Sequence, residues 1–276
     1  MTAGGFGEGT PWTRGPAGLA LALFLLVTLE VSSARAEDTG GAAQSLVKQQ
    51  LNPLANSVKL SATLSAEQGP DGDTQPNLNF EPIIPFGLTD DWRVVTRPSV
   101  SILRLPAAQG GTTGLGDTQL PFFLTPAKTG DWVWGAGPII QIPTATGTAL
   151  GTGKWSAGPT GALIYVGGPW VNGVIASQLW SVAGPESRAP VSLTQLEVQV
   201  NYTFADNYYV DTDPTFSYDW KAPAGQGWTV PIGFDAGKVF TIGKQGLSLQ
   251  FGAYYNVKTP SGSADWILDV EMTWQF

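Results

Sequence analysis

The sequence predicts an all-β fold, a transmembrane antiparallel β-barrel of about twelve strands with a short N-terminal helix, on three observations. The first is the final stretch, where Trp266, Leu268, Val270, Met272, Trp274 and Phe276 alternate with Ile267, Asp269, Glu271, Thr273 and Gln275. Read with period two, this is a strand with one oily face and one wet face, and the chain stops on an aromatic residue at the tip of the oily one. The second is a recurrence of short turns, each handing over to an aromatic residue: Asp90-Asp91-Trp92, Gly130-Asp131-Trp132, Gly168-Pro169-Trp170 and Asp206-Asn207-Tyr208. These aromatic residues fall 40, 38 and 38 residues apart. The third is that Gly, Pro and charged residues interrupt every apolar run behind the N-terminus, so a membrane crossing has to be made by strands.

The N-terminus sets the compartment. Arg14 precedes an apolar run from Ala17 to Leu29, and Ala34-Arg35-Ala36 supplies a small-x-small cleavage site before Glu37. Residues 1–36 therefore read as a secretory signal peptide. A membrane anchor is the competing account, but the run is shorter than the roughly 20 residues that a helical span needs. Net charge is -8 and the chain has neither Cys nor His. A disulfide framework is thus excluded, and the commonest general base and metal ligand is missing. An acidic chain without a basic cluster is a poor partner for nucleic acid. Eleven Trp in a chain with 13% charged residues fit a protein that has a membrane–water interface to occupy.

Residues 37–57 are not strand-like. Ala43, Leu46, Val47, Leu51 and Leu54 recur at helical spacing until Asn52-Pro53 breaks the run. The expectation is a short amphipathic helix, at the periplasmic rim or tucked into the lumen; a disordered leader is the alternative.

Residues 58–276 read as strands joined alternately by tight turns and longer loops. Another 38 residues from Tyr208 reach Gly246 in a further turn, and 30 more reach Phe276. One strand up, a loop, one strand down and a turn account for that period with strands of about 11 residues. Six hairpins make an even count, which places the short turns and Phe276 on one side, the periplasm. Loops near residues 69–73, 106–113, 143–153, 184–190, 222–227 and 259–264 then face outward. Trp155, Trp180, Trp220, Trp228 and Trp266 flank those loops as one aromatic girdle, and Trp92, Trp132, Trp170 and Tyr208 form the other.

Strand faces support the barrel. Leu196, Val198, Val200, Tyr202 and Phe204 oppose Gln195, Glu197, Gln199, Asn201 and Thr203, and Val210, Phe216, Tyr218 and Trp220 oppose Asp211, Asp213, Thr215 and Asp219. A soluble sandwich would also alternate, but its outer faces would be rich in Lys and Glu. Eight prolines, Pro82, Pro85, Pro98, Pro121, Pro138, Pro159, Pro214 and Pro231, fall inside the expected strands, where each removes a ladder donor. Bulges are expected to absorb them, above all at Gly137-Pro138 and Gly158-Pro159. Residues 155–182 alternate poorly, and their register stays open.

Two resemblances add to this. The closing alternation through Trp274 to Phe276 resembles the C-terminal assembly signal of bacterial outer-membrane proteins, which implies recognition by the barrel assembly machinery. Several ordered strings, among them Pro82-Ile83-Ile84-Pro85-Phe86, Gly114-Leu115-Gly116-Asp117, Trp132-Val133-Trp134-Gly135-Ala136-Gly137-Pro138, Lys154-Trp155-Ser156-Ala157-Gly158-Pro159-Thr160 and Tyr218-Asp219-Trp220, resemble the outer-membrane family grouped as MetA-pathway of phenol degradation, often mislabelled neuromedin U. That resemblance, over residues 51–276, implies a barrel in the outer membrane of a Gram-negative bacterium and passage of small molecules, aromatic compounds among them. It brings no catalytic or ligand residues.

Site chemistry is correspondingly sparse. The stretch Gly147 to Lys154 imitates a phosphate-binding loop, but its first Gly is misplaced by one and Trp155 stands where Ser or Thr is needed. Asp71-Gly72-Asp73 lacks the distal bidentate Glu of a calcium loop. No Ser-His-Asp or Cys-His arrangement is possible, so no enzyme, metal or cofactor is expected. The expected lumen-lining residues are Lys59, Glu81, Arg93, Arg97, Asp117, Glu197, Asp211, Asp213, Asp219, Asp235, Asp269 and Glu271, a basic wall beside a larger acidic one. Lys59 is expected to neighbour Asp269 or Glu271 across the seam between the first and last strands. The chain is thus expected to be an outer-membrane channel or uptake facilitator for an unidentified small solute, embedded in outer-membrane lipid. A structural or adhesion barrel with a blocked lumen is the alternative, with an outer-membrane enzyme behind it.

Overall fold

The structure, a computed structural model, describes residues 40–106, 110–243 and 245–276. The signal peptide expected at 1–36 lies outside them. Among the described residues helix α1 (Gly40–Leu51) comes first, followed by fifteen strand segments. These are β1 (Lys59–Gln68), β2 (Thr74–Gly87), β3 (Trp92–Thr96), β4 (Val100–Arg104), β5 (Thr113–Leu115), β6 (Thr118–Pro126), β7 (Trp132–Ile142) and β8 (Trp155–Gly167). Behind them run β9 (Trp170–Ala183), β10 (Ser192–Thr203), β11 (Tyr208–Thr212), β12 (Thr215–Asp219), β13 (Trp228–Ile242), β14 (Gln245–Lys258) and β15 (Trp266–Gln275).

β3 and β4 both pair with β2, and β11 and β12 both pair with β10, so each couple is one crossing broken in the middle. β5 and β6 are likewise halves of one crossing, which leaves twelve spans among the described residues. β1 pairs antiparallel with β2 on one side and with β15 on the other, from Lys59↔Gln275 to Gln68↔Trp266, and this closes the sheet. The Phe276 amide donates to the Val58 carbonyl at 2.9 Å and extends the seam to the last residue. Closure satisfies in lipid every strand edge that an open sheet would leave unpaired.

Prolines account for two of the three breaks, though not where bulges were expected. Pro98 lies between β3 and β4, and Pro214 between β11 and β12. Register shifts occur between Val230 and Pro231 and between Trp155 and Ser156. At Gly137-Pro138 and Gly158-Pro159 there is none. Pro138 sits opposite Pro159 in an unbroken β7–β8 register, and each pair leaves a gap toward its other neighbour. The β6–β7 ladder skips from Pro121↔Ile139 to Leu124↔Ala136, and the β8–β9 ladder skips from Ala157↔Trp180 to Thr160↔Ser177. Because two donors are lost on facing strands, neither strand gains a residue, and no bulge forms. The preceding glycines let the chains draw together instead. A Cβ on Gly137 would overlap the Phe122 carbonyl oxygen, and one on Gly158 the Gln178 carbonyl oxygen.

The outer face is oily, with Leu64, Phe86, Leu163, Val182, Phe234, Leu268 and Met272 all exposed. The inner face is divided. Near the short-turn end it is apolar, and there Val47, Leu51 and Leu54 of the N-terminal segment pack against Ile83, Val95, Phe123, Val133, Ile164, Val171, Tyr209 and Val239. This also accounts for the weak alternation over residues 155–182. Ile164, Val171, Ile175 and Leu179 point inward as well, so β8 and β9 are apolar on both faces.

Gly158→Ala should block folding or sharply lower the thermal midpoint, because the methyl group meets backbone that cannot move without breaking the β8–β9 ladder, at a cost beyond the usual 1–3 kcal/mol of overpacking. Gly87→Ala, with open space at its Cβ, should be silent. The folded fraction is read from heat-modifiable migration on unboiled gels; equal fractions for both variants would contradict the proposed close approach.

Candidate functional site in the barrel lumen

A helix that ends inside a barrel leaves its last carbonyls without helical partners. Here the barrel wall supplies them. The Lys59 ammonium donates to the carbonyls of Gln49 (3.1 Å), Gln50 (2.8 Å) and Asn52 (2.7 Å), while Gln199 Nε2 donates to Leu51 O at 3.0 Å. Arg93 donates to the carbonyls of Leu54 (3.0 Å) and Ala127 (2.9 Å). Gln50 Nε2 reaches Ser248 Oγ and Thr273 O. A cation at the negative end of the helix dipole adds to these bonds. The segment is thus a plug, held by apolar packing from below and by donors from the wall at its tip.

Beyond the plug the lumen is hollow and polar. Arg97, in the break between β3 and β4, donates through Nε and Nη2 to Glu81 Oε1 at 2.8 and 2.5 Å, and through Nη1 to Glu197 Oε1 at 3.4 Å. Glu81 is on the adjacent span, but Glu197 is on β10, across the barrel. The three side chains make a bar through the lumen. A cavity of about 220 Å3 lies on one side, lined by Lys59, Gln199, Asp211, Asp213 and Glu271 among others. Another of about 290 Å3 lies on the other side, where Pro121, Phe123, Ile139 and Ile175 form an apolar stripe. Both cavities share the bar as a wall.

The acidic wall follows the sheet register. Asn201, Asp211, Asp235, Gly252, Asp269 and Ser65 are successive partners across β10, β11, β13, β14, β15 and β1. Three carboxylates therefore share one rung, with neighbouring strands about 4.8 Å apart. The glycine between two of them leaves room: a Cβ at Gly252 would overlap carboxylate oxygens of both Asp235 and Asp269. Tyr254 lies over Gly233 and places its hydroxyl between Asp213 (3.1 Å) and Asp235. Glu271 accepts from Thr63 and Thr273, each at 2.8 Å.

The structure brings Glu81, Arg97, Glu197, Asp211, Asp213, Asp235, Asp269 and Glu271 together around the lumen and sets Lys59 on the same cavity but with other neighbours than expected, while Arg93, Asp117 and Asp219 are placed otherwise. Lys59 does not face Asp269 or Glu271: its register partner is Gln275, Glu271 faces Thr63, and its ammonium is turned toward the helix end. Arg93 meets carbonyls, not carboxylates, because it lies at the level of the plug. Asp117 falls in the unpaired break between β5 and β6, where it turns to the loop at 143–154 and accepts from Thr152 N (2.6 Å), Thr152 Oγ1 (2.7 Å) and Ala145 N (3.3 Å). Asp219 is exposed at the strand end and accepts from Lys221 N at 2.8 Å. Arg188, not singled out from the sequence, holds the same loop through the carbonyls of Thr152 and Gly151. Tyr254 was also missed, although strict period two through Ser248, Gln250 and Asn256 places it on the wet face. The nine girdle residues are all exposed at the two ends of the outer wall, with edge contacts such as Trp92–Trp134 at 6.0 Å and Trp170–Tyr202 at 4.7 Å. At the seam Trp274 stacks on Phe276 at 6.3 Å.

Lys59→Met should free the plug tip, since each buried carbonyl left without a donor costs about 1–3 kcal/mol. Amide exchange at Val47–Leu51 should then quicken by at least about tenfold while exchange in β14 stays unchanged, and Lys59→Arg should restore slow exchange. Equal exchange in Lys59→Met and wild type would mean that the ammonium does not hold the plug.

No family model matches the chain, and no curated protein matches it. Among solved structures, the COG4313 outer membrane channel from Pseudomonas putida F1 is similar, with 16% identity and a TM-score of 0.63 over 82% of this chain and 98% of that one. The β domain of the Bordetella autotransporter BrkA aligns with 12% identity and a TM-score of 0.43 over 80% and 99%. The P. putida toluene transporter TodX aligns with 10% identity and a TM-score of 0.40 over 82% and 92%. At these identities the likeness speaks to fold, and only the first is close enough to carry that. The chain has the fold of the outer-membrane β-barrels, as its alternation and its closing strand predict.

Proposed function

We propose that this protein is an outer-membrane channel for small molecules, narrowed at mid-lumen by the Glu81–Arg97–Glu197 bar and closed near the short turns by the segment around α1. The observation that carries this is the pair of polar cavities on either side of the bar, inside a closed sheet. A barrel serving only as a scaffold has no need of a hollow interior lined by side chains that leave room for solute. The similar P. putida structure is of an outer membrane channel, which supports the same reading by analogy of fold. The apolar stripe of Phe123, Ile139 and Ile175 favours solutes with a hydrophobic or aromatic part. On this reading the chain is exported by a cleaved signal peptide and inserted by the barrel assembly machinery through Trp274 and Phe276. It resides in the outer membrane of a Gram-negative bacterium, short turns toward the periplasm, and performs no catalysis.

Charge sets the selectivity. Lys59 and Arg93 are occupied by the plug, and Arg97 is shared by two glutamates, so the carboxylates of Asp211, Asp213 and Glu271 face the lumen without a basic counterpart. Excess acid in a narrow pore favours cations. In planar bilayers under a KCl gradient the reversal potential should be on the cation side, and Asp211→Asn with Asp213→Asn should move it toward zero. Arg97→Ala should raise conductance by a factor of about 2 and increase cation preference, since it opens the bar and removes a positive charge. Wild-type reversal potential and conductance in all variants would remove these side chains from any conducting path.

A structural barrel with a blocked lumen is the second reading, and the plug itself favours it. Absence of single-channel current and of liposome swelling with sugars or aromatic acids would select it.

A further inference from the structure

We propose that the acidic wall around Asp211 and Asp213 is a binding site for the ammonium groups of small amines. The assignment deepens the channel reading, since it names a solute class for the same lumen.

Three observations point to a ligand that brings its own donors. First, Asp211 is only 3% exposed, lines the cavity of about 220 Å3, and has Oδ1 without a hydrogen-bond partner. A buried carboxylate oxygen left unpaired is costly, so a counter-group belongs there. Second, Gln199 lines the same cavity, 9% exposed, with Oε1 also unpartnered. Its orientation is fixed, because Nε2 donates to the Leu51 carbonyl, which could not accept from the other amide atom. Third, donors are short around Tyr254: its hydroxyl carries one proton yet lies within reach of both Asp213 and Asp235, with Asp269 beside the latter.

These acceptors are spread along the wall. Among the described residues no three acidic side chains converge as a metal ion requires. An ammonium group has three donors that can reach separated oxygens, whereas a bare metal ion needs oxygens gathered around one point. A short diamine would set one ammonium against Asp211 and Gln199 and the other toward Asp213 or Glu271.

The full chain, folded in detergent, is to be titrated by calorimetry with 1,4-diaminobutane, calcium chloride and glucose. Saturable heat is expected with the diamine, weakened at least tenfold in Asp211→Asn and in Asp213→Asn but unchanged in Asp219→Asn, whose carboxylate lies at the exposed strand end. Heat-modifiable migration verifies that each variant is folded. Diamine heat that is absent, or equal in all variants, would overturn the assignment, and so would displacement of the diamine by equimolar calcium. Because binding in detergent needs no current, a barrel that binds amine without conducting would retain this site while losing the channel reading. A barrel that conducts without binding would do the reverse.

Discussion

In hydrocarbon each backbone donor and acceptor must find its partner within the protein, and this constraint governs the rest of the structure. It demands that β1 return to β15, which fixes the even number of spans and brings both ends of the barrel to the same rim. It also makes proline the main source of irregularity, since each one deletes a donor that water cannot replace. The sheet answers in two ways. It breaks spans beside Pro98 and Pro214, and it places Pro138 opposite Pro159 with glycines alongside. The break beside Pro98 is where Arg97 leaves the wall to form the bar, so a concession to backbone chemistry helps shape the lumen.

The same accounting operates inside. A helix terminus within the barrel exposes carbonyls that have no helical partners, and Lys59, Arg93 and Gln199 are turned toward them. Two cations that could have neutralised the acidic wall are spent on the plug. The remaining lumen is therefore more acidic than a count of its charged residues suggests, and the glycines at 233, 237 and 252 let Tyr254, Tyr209 and the aspartates lie close along the wall.

The legible part of the sequence was the part governed by a two-way choice between lipid and lumen. Alternation in the eighth, ninth and last spans, the aromatic girdles and the count of twelve follow from period two and from the spacing of turn signals. What stayed hidden depends on a third environment, the inner face packed by the plug. Ile164, Val171 and Ile175 face inward yet are apolar, so the rule that inward means polar fails over residues 155–182. For the same reason the partners of Lys59 and Arg93 were misjudged, because α1 could be placed from sequence at the rim or in the lumen, and only the latter offers them carbonyls. Alternation puts Asp117 and Asp219 in the lumen only when it is carried through the break between β5 and β6 and out to the exposed last residue of β12.

The central claim is that the segment around α1 closes the barrel at the short-turn end while the rest of the lumen forms a path. The most direct test compares single-channel conductance of the full chain with that of a chain lacking residues 40–57, both folded in detergent and inserted into the same planar bilayer. Small or rare current steps are expected from the full chain and larger, sustained ones from the shortened chain. Equal conductance in the two, or silence in both, would contradict it.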